Sequence, residues 1–385
     1  MKLQNMCFSI PYNFRCRIAM VIRTAAYCVV SLTTVVLNVL VLFTFAATHN
    51  WNSQQVYKSS LAISDILIGI LLLPLAIWDF CTHFIFSNVN GQPKMNVTSI
   101  NNNLNETRNF LVPIPLQRSY FTALEKHPYY EEVRGFSSSL FIFTAIYCMA
   151  AASIDRFIAI AKPLSYTRHV AKRMSKRAVL AIWLAGIVYS CGPRIFRSMG
   201  VPVGYQSMGT VAFMQLEGME GMENDDNSIL IISLSMLLVP LIIVWVLSIF
   251  TFNSMKNSNR SLRKFQQRAN NLALKGYHQQ AKKLATKERQ VEGELARTLR
   301  LIVAAFTVCF LPAILSFGGM LVPSVHRYNV EVFSIKAYDA YTDIEDIAQF
   351  LLYFNGLFNF FIYNARNNNF RKTLRRVIAF RKALK

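Results

Sequence analysis

The stretch Ile229 to Phe252, ILIISLSMLLVPLIIVWVLSIFTF, holds no charged residue over the full length a helix needs to cross a bilayer. In hydrocarbon every backbone N–H and C=O must find its partner within the segment, so such a run reads as a membrane-spanning helix. Working outward from it, six more stretches qualify, and the spans expected are about 24–48, 59–84, 134–161, 178–199, 228–252, 299–323 and 344–365. The fourth is the shorter apolar run between Arg177 and Arg194, and the seventh is interrupted by Gln349, Asn355 and Asn359. Weak hydropathy of this kind marks polar work done against neighbouring helices rather than against lipid. The fold class expected is an all-α membrane protein, a bundle of seven transmembrane helices.

Composition agrees. Of 385 residues, 53% are hydrophobic and only 16% charged, too apolar a surface for an ordinary water-soluble domain. The net charge of +21 does not point to nucleic acid, because Lys and Arg cluster between apolar runs instead of lining one soluble face. Seven cysteines show no metal-type spacing, and four of them (Cys28, Cys148, Cys191 and Cys309) fall within apolar runs, so no disulfide framework is expected. Residues 1–23 form a short amino terminus with Lys2, Arg15, Arg17 and Arg23 and no continuous apolar core; the first helix is expected to serve as its own insertion signal.

Orientation follows from the basic residues, which are retained on the cytoplasmic side. Taken over alternate loops, 28 of the 41 Lys and Arg lie on the side holding Lys58, the stretch Arg156 to Arg177, the stretch Lys256 to Arg300 and the tail 366–385. The other side holds 15 of the 20 acids. Two glycosylation sequons, at Asn96 and Asn105, fall in the long polar loop 85–133 on that acidic, extracellular side. The end of the basic loop 253–298 is expected to extend the sixth helix inward. The segment FRKTLRRVIAFRK after the seventh span puts Phe370, Leu374, Ile378 and Phe380 near one face, with Arg371, Lys372, Arg375 and Arg376 around it. It reads as an amphipathic helix lying on the lipids of the inner leaflet.

Polar residues inside the spans carry the functional signal. Asp65 is the one ionisable residue deep within a span, and an unpaired carboxylate in hydrocarbon costs several kcal/mol. Asn38, Asn355 and Asn359 are its expected partners. Two readings stay open: a sodium site built from carboxylate and amide oxygens, or a structural polar network that joins helices. Asp155 and Arg156 close the third span, and Glu292 stands where it reaches Arg156 from an inward extension of the sixth, a latch between two helices; a local pair of Glu292 with Arg289 is the other reading. Pro240 and Pro312 lie mid-span, where each removes a backbone hydrogen bond and bends its helix.

Together these residues resemble the rhodopsin-like family of G-protein-coupled receptors across all seven spans. The marks run in order: Asn38; Leu61-Ala62-Ile63-Ser64-Asp65; Asp155-Arg156-Phe157; Trp183; Pro240; Cys309-Phe310-Leu311-Pro312; Asn359-Phe360-Phe361-Ile362-Tyr363; Phe370-Arg371. The resemblance implies a ligand-gated switch at the plasma membrane. Ile146, Pro240 and Phe306 would link pocket to helix movement. Asp155, Arg156, Glu292, Asn359 and Tyr363 would govern coupling to a heterotrimeric G protein. A mostly apolar pocket would be lined by Ser138, Ile142, Ser233, Phe310, Ala313, Phe317, Gln349 and Tyr353, taking a small extracellular ligand.

Departures from the pattern narrow this. Glu131 stands where the family places the cysteine that ties its third helix to the next outer loop, and Gly200 to Asn227 contains no Cys. Phe157, Phe310, Phe360 and Ser248 replace the usual Tyr, Trp, Pro and Tyr. Ser138 replaces the acid of amine receptors, and Tyr353 the lysine that holds retinal. The second function class kept open is a receptor-like protein that binds a ligand or partner receptor without activating G proteins. A membrane enzyme is not expected, since all six histidines fall in loops or at helix ends. A transporter would show repeats or several intramembrane charges.

Overall fold

A computed structural model describes residues 14–48, 51–78, 130–161, 166–201, 203–208, 211–216, 228–271, 298, 300–315 and 335–383, with side chains for most of these. The expectations for Asn96, Asn105, Glu292 and Phe317, for the rest of the outer loop up to residue 129 and for the end of the inner loop lie outside the described residues.

The first helix, Phe14–Ala46, starts well before the expected span. The second starts at Ser53, because Asn52 and Gln55 form a capping box in which each side chain meets the other's backbone N–H. It continues through a π-helical turn at Ile68–Leu72 and is described as far as Trp78. This early start corrects the placing of Lys58, which is not a loop residue but a buried one in the second turn of the helix.

The third helix, Tyr130–Ala161, is the most enclosed of those long enough to cross a membrane. The fourth expected span is broken: Arg168–Ser190 bends by 47° at Cys191 into the short helix Gly192–Ser198. Pro193, in the first turn of the second piece, has no N–H to continue the ladder across the joint. Two strands follow, β1 (Val203–Met208) and β2 (Val211–Leu216), paired antiparallel from Val203↔Leu216 to Met208↔Val211. No hairpin was expected there.

The fifth helix, Ser228–Asn271, runs on past Pro240 and well into what hydropathy assigned to the basic loop. The sixth is described over Arg300–Leu315, the seventh over Ile335–Arg366, and the last helix spans Asn368–Ala383. Asn367 separates these two by accepting the backbone N–H groups of Asn369 and Phe370 on its side-chain oxygen, at 3.0 and 3.1 Å.

The bundle encloses its polar groups in an apolar core and turns apolar side chains outward. Val29, Leu32, Phe43, Leu180, Val188, Ile231, Ile249 and Phe361 are exposed, while Asn38, Ser64, Asp65, Ser138, Thr144, Arg156 and Asn359 are buried. Lipid explains that arrangement: it solvates Leu and Val as well as a core does, and only the protein interior offers partners to polar groups.

Candidate functional site

Three polar clusters lie along the bundle axis. At the basic end, Asp155 is a hub. Its Oδ2 accepts hydrogen bonds from Ser53 Oγ (2.9 Å) and Gln54 Nε2 (2.9 Å), and its Oδ1 accepts from Tyr166 OH (3.0 Å). Burial raises the pKa of the Tyr166 hydroxyl, so it remains a donor. Arg156 reaches the same Oδ2 at 3.4 Å, a long contact, and is only 6% exposed. Asp155 thus ties the second helix, the third helix and the following loop together, and Arg156 is a lesser claimant on its charge.

Lys58 rises beside this hub. It is 8% exposed, its ammonium lies 4.8 Å from the centre of the Tyr363 ring, and the Arg156 guanidinium is near enough to repel it. Tyr363, from the seventh helix, is 1% exposed and packs edge-on with Phe370 and tilted against Phe45, at 5.9 Å each. The last helix is therefore pinned at its start by Phe370 and Leu374, both buried, while Ile378 faces outward. Across the bundle, Trp245 Nε1 donates to Thr307 Oγ1 at 2.7 Å and Arg300 lies over Phe252 at 4.6 Å, joining the fifth and sixth helices.

The middle cluster centres on Asp65. Asn359 Nδ2 donates to Asp65 Oδ2 at 3.1 Å, as the reading of the sequence expected of that pair. Asn38 does something else: its Nδ2 donates to the carbonyls of Thr34 (3.0 Å) and Gly356 (3.1 Å), joining the first helix to the seventh backbone and not to Asp65. Gly356 allows this approach, since a Cβ there would stand 3.0 Å from Thr34 and 3.1 Å from Asp65. Asn355 lines a small cavity with Asp65, Ile142, Phe310, Leu352 and Tyr353. Phe310, one of its walls, is stacked on Phe306 with centroids 3.9 Å apart. Ile146, Pro240 and Phe306 are all buried.

Of the expected pocket, Ser138, Ile142, Ser233, Phe310, Ala313, Gln349 and Tyr353 are buried. Ser138 donates to the Gly135 carbonyl at 3.2 Å, and Ser233 bonds Tyr189. The cavity gathers Ile142, Phe310 and Tyr353 but none of the serines or Gln349.

At the opposite end the hairpin is fastened to the third and fourth helices without a disulfide; Cys191 is free. The Tyr205 ring lies on Gly135, where a Cβ would come within 2.1 Å of it, and its hydroxyl donates to the Ser190 carbonyl. Burial raises the pKa of this tyrosine, keeping it a donor. Arg197 Nε donates to the Val203 carbonyl at 2.9 Å, and Glu132 pairs with Arg194 and, at 4.0 Å, with Arg197.

Several of these residues escaped the sequence reading. Lys58 had a signal, the capping box at Asn52-Ser53-Gln54-Gln55, which moves the helix start upstream. Ser53, Gln54, Tyr166 and Tyr205 had none, since a polar residue near a helix end reads as solvated. Trp183 is anchored by donating to Ser60 Oγ at 3.0 Å, a partner that hydropathy likewise hides.

The family described as "7 transmembrane receptor (rhodopsin family)" matches residues 126–363. A protein named "Rhodopsin, GQ-coupled" from Mizuhopecten yessoensis is 24% identical over 242 residues, covering 61% of this chain and 40% of that one. "Octopamine receptor beta-2R" of Chilo suppressalis is 26% identical over 262 residues, covering 63% and 60% respectively. The chain thus spans less than two thirds of the length of these relatives. The crystal structure of squid rhodopsin shares the fold with a TM-score of 0.65 at 15% identity, covering 94% of this chain and 86% of that structure.

Proposed function

This chain belongs to the rhodopsin family of seven-transmembrane receptors, a family of receptors and not of enzymes, and from that premise we propose that it transmits binding of a small extracellular ligand to heterotrimeric G proteins. The observation that carries the reading is Arg156: a buried guanidinium closing the third helix, held among the described residues only by a long contact to an already engaged Asp155. A cation so weakly retained is available to change partners when neighbouring helices separate. A ligand shifts that equilibrium by its differential affinity for the two arrangements.

In this reading the protein lies in the plasma membrane with the hairpin end outside and the basic end in the cytoplasm, and Asn96 and Asn105 carry glycans. The ligand enters above Phe310, and Ile146, Pro240 and Phe306 transmit its presence. Glu292 restrains Arg156 in the resting state. Asp65 and Asn355, facing one small cavity, offer the oxygen donors a sodium ion prefers. An ion there would offset the Asp65 charge inside an apolar bundle.

The test is a ligand screen read out by nucleotide exchange across all G-protein classes, with Glu292→Ala run beside the unaltered receptor. The reading expects at least one ligand-dependent exchange signal and raised basal exchange in Glu292→Ala. Hits that bind without exchange in any class would favour the second reading, a receptor-like protein that does not activate G proteins. That reading draws on Phe310 stacked flat upon Phe306 and on Ser248, whose hydroxyl is buried without a hydrogen bond.

A further inference from the structure

The third helix, though the most enclosed, opens to lipid along one stripe. Tyr147 and Ala151 are half-buried, and Ile154 and Ile158 are 42% and 44% exposed. Their spacing puts all four on one helix face. The stripe is open because, among the described residues, the fourth and fifth helices each pack along the third but scarcely on each other. The fifth helix supplies one wall, where Met236, Ile243 and Phe250 recur on a single face and are all exposed. Met236 Sδ meets the Tyr147 hydroxyl at 3.7 Å, and Phe250 meets Phe157 edge-on at 6.5 Å, which fixes the two ends of a lipid-facing groove.

Within that groove the Tyr147 hydroxyl is a polar group among apolar ones. Its acceptor is a thioether, which is a weak one, and among the described residues no group donates to its oxygen. Tyr147 lies about 14 Å along the helix axis from Arg156, inside the hydrocarbon, where ordinary acyl chains offer no hydrogen bond. We propose that the groove binds the hydroxylated acyl chain of a lipid in the leaflet at the basic end, with the chain hydroxyl paired to Tyr147. Length selects an acyl chain: Tyr147 to Ile158 is about 16 Å, close to one leaflet's half of a hydrocarbon core about 30 Å thick. Ile158 stands just past Arg156, so the lipid headgroup sits there and the chain runs toward Tyr147. A hydroxyl suits the phenol better than a carbonyl, since it both donates to the phenolic oxygen and accepts in place of sulfur. The site requires that the chain spans a bilayer, not that it signals.

The experiment places the whole chain in nanodiscs of dioleoyl phosphatidylcholine and reads the thermal unfolding midpoint. Ricinoleoyl phosphatidylcholine, which adds only a mid-chain hydroxyl, then replaces the host lipid stepwise. A saturable rise of a few degrees is expected. Tyr147→Phe should erase the rise while keeping its midpoint in the host lipid, and Ile154→Trp, which fills the groove, should weaken the apparent affinity severalfold. No rise, or an equal rise in Tyr147→Phe, overturns the site. So does a Tyr147-dependent rise on placing two copies in one disc of host lipid, which would give the face to a second copy of the chain. Should Tyr147→Phe fail to fold, an unchanged affinity in Ile154→Trp overturns the site instead.

Discussion

The two ends of the bundle solve the same problem in opposite ways. At the hairpin end the donors of the clasp are matched locally: Tyr205 by the Ser190 carbonyl, Arg197 by the Val203 carbonyl, Arg194 by Glu132. At the basic end Asp155 serves four donors, and among the described residues the Arg156 Nε and the Tyr363 hydroxyl find no acceptor. A balanced network has one favoured arrangement, while a surplus of donors favours whatever brings an acceptor. On the proposed function, the contrast separates a part of the molecule that holds a shape from a part that changes partners.

The sharpest way to break this comparison is at the hub. Asp155→Ala removes the acceptor shared by Ser53, Gln54 and Tyr166, leaving Ser53 and Tyr166 to each other and Gln54 to the Ala152 carbonyl, and should cost about 3 kcal/mol of stability, read as a lowered thermal midpoint. A loss no larger than that of a surface substitution would mean the hub is not what joins the second and third helices. Next is Gly135→Val, which drives a side chain into the Tyr205 ring and should destabilise by about 2 kcal/mol. Adding Tyr205→Ala should recover much of the Gly135→Val loss; a failure to recover would place the clash elsewhere.

Smaller effects test how far each end extends. Trp183→Phe removes one buried hydrogen bond, to Ser60, and should cost about 1 kcal/mol in the same measurement. Least of all is Glu132→Gln. Its pairs with Arg194 and Arg197 are largely exposed, so the loss should stay below about 1 kcal/mol and fade as salt is raised. A larger, salt-independent loss would show that these ion pairs, and not the seating of Tyr205, hold the hairpin.

Much of the frame was legible in the residues. The Asp65 and Asn359 pair was foreseen from their isolation in apolar spans and meets at 3.1 Å. Asn38 was foreseen as a third member and is not, because Gly356 brings a backbone carbonyl closer to it. Lys58 was assigned to a loop because hydropathy weighs charge and ignores caps. The break at Cys191 and the hairpin after it were missed for another reason: they are set by Pro193 and by Tyr205 finding Gly135, contacts between residues far apart in the chain.

By itself, then, the sequence determined that the chain lives in lipid as a bundle of helices and which family pattern they carry. Those properties depend on solvent preference summed over about 20 residues per span, and such sums survive local error. Only the tertiary structure decided which polar groups meet: Asp155 with Ser53, Gln54 and Tyr166, Tyr205 with Gly135, and Lys58 with Tyr363. The reason is geometric. A hydrogen bond weakens within a fraction of an ångström and a few tens of degrees, and helix rotation, bend and cap set those coordinates only once the helices are packed.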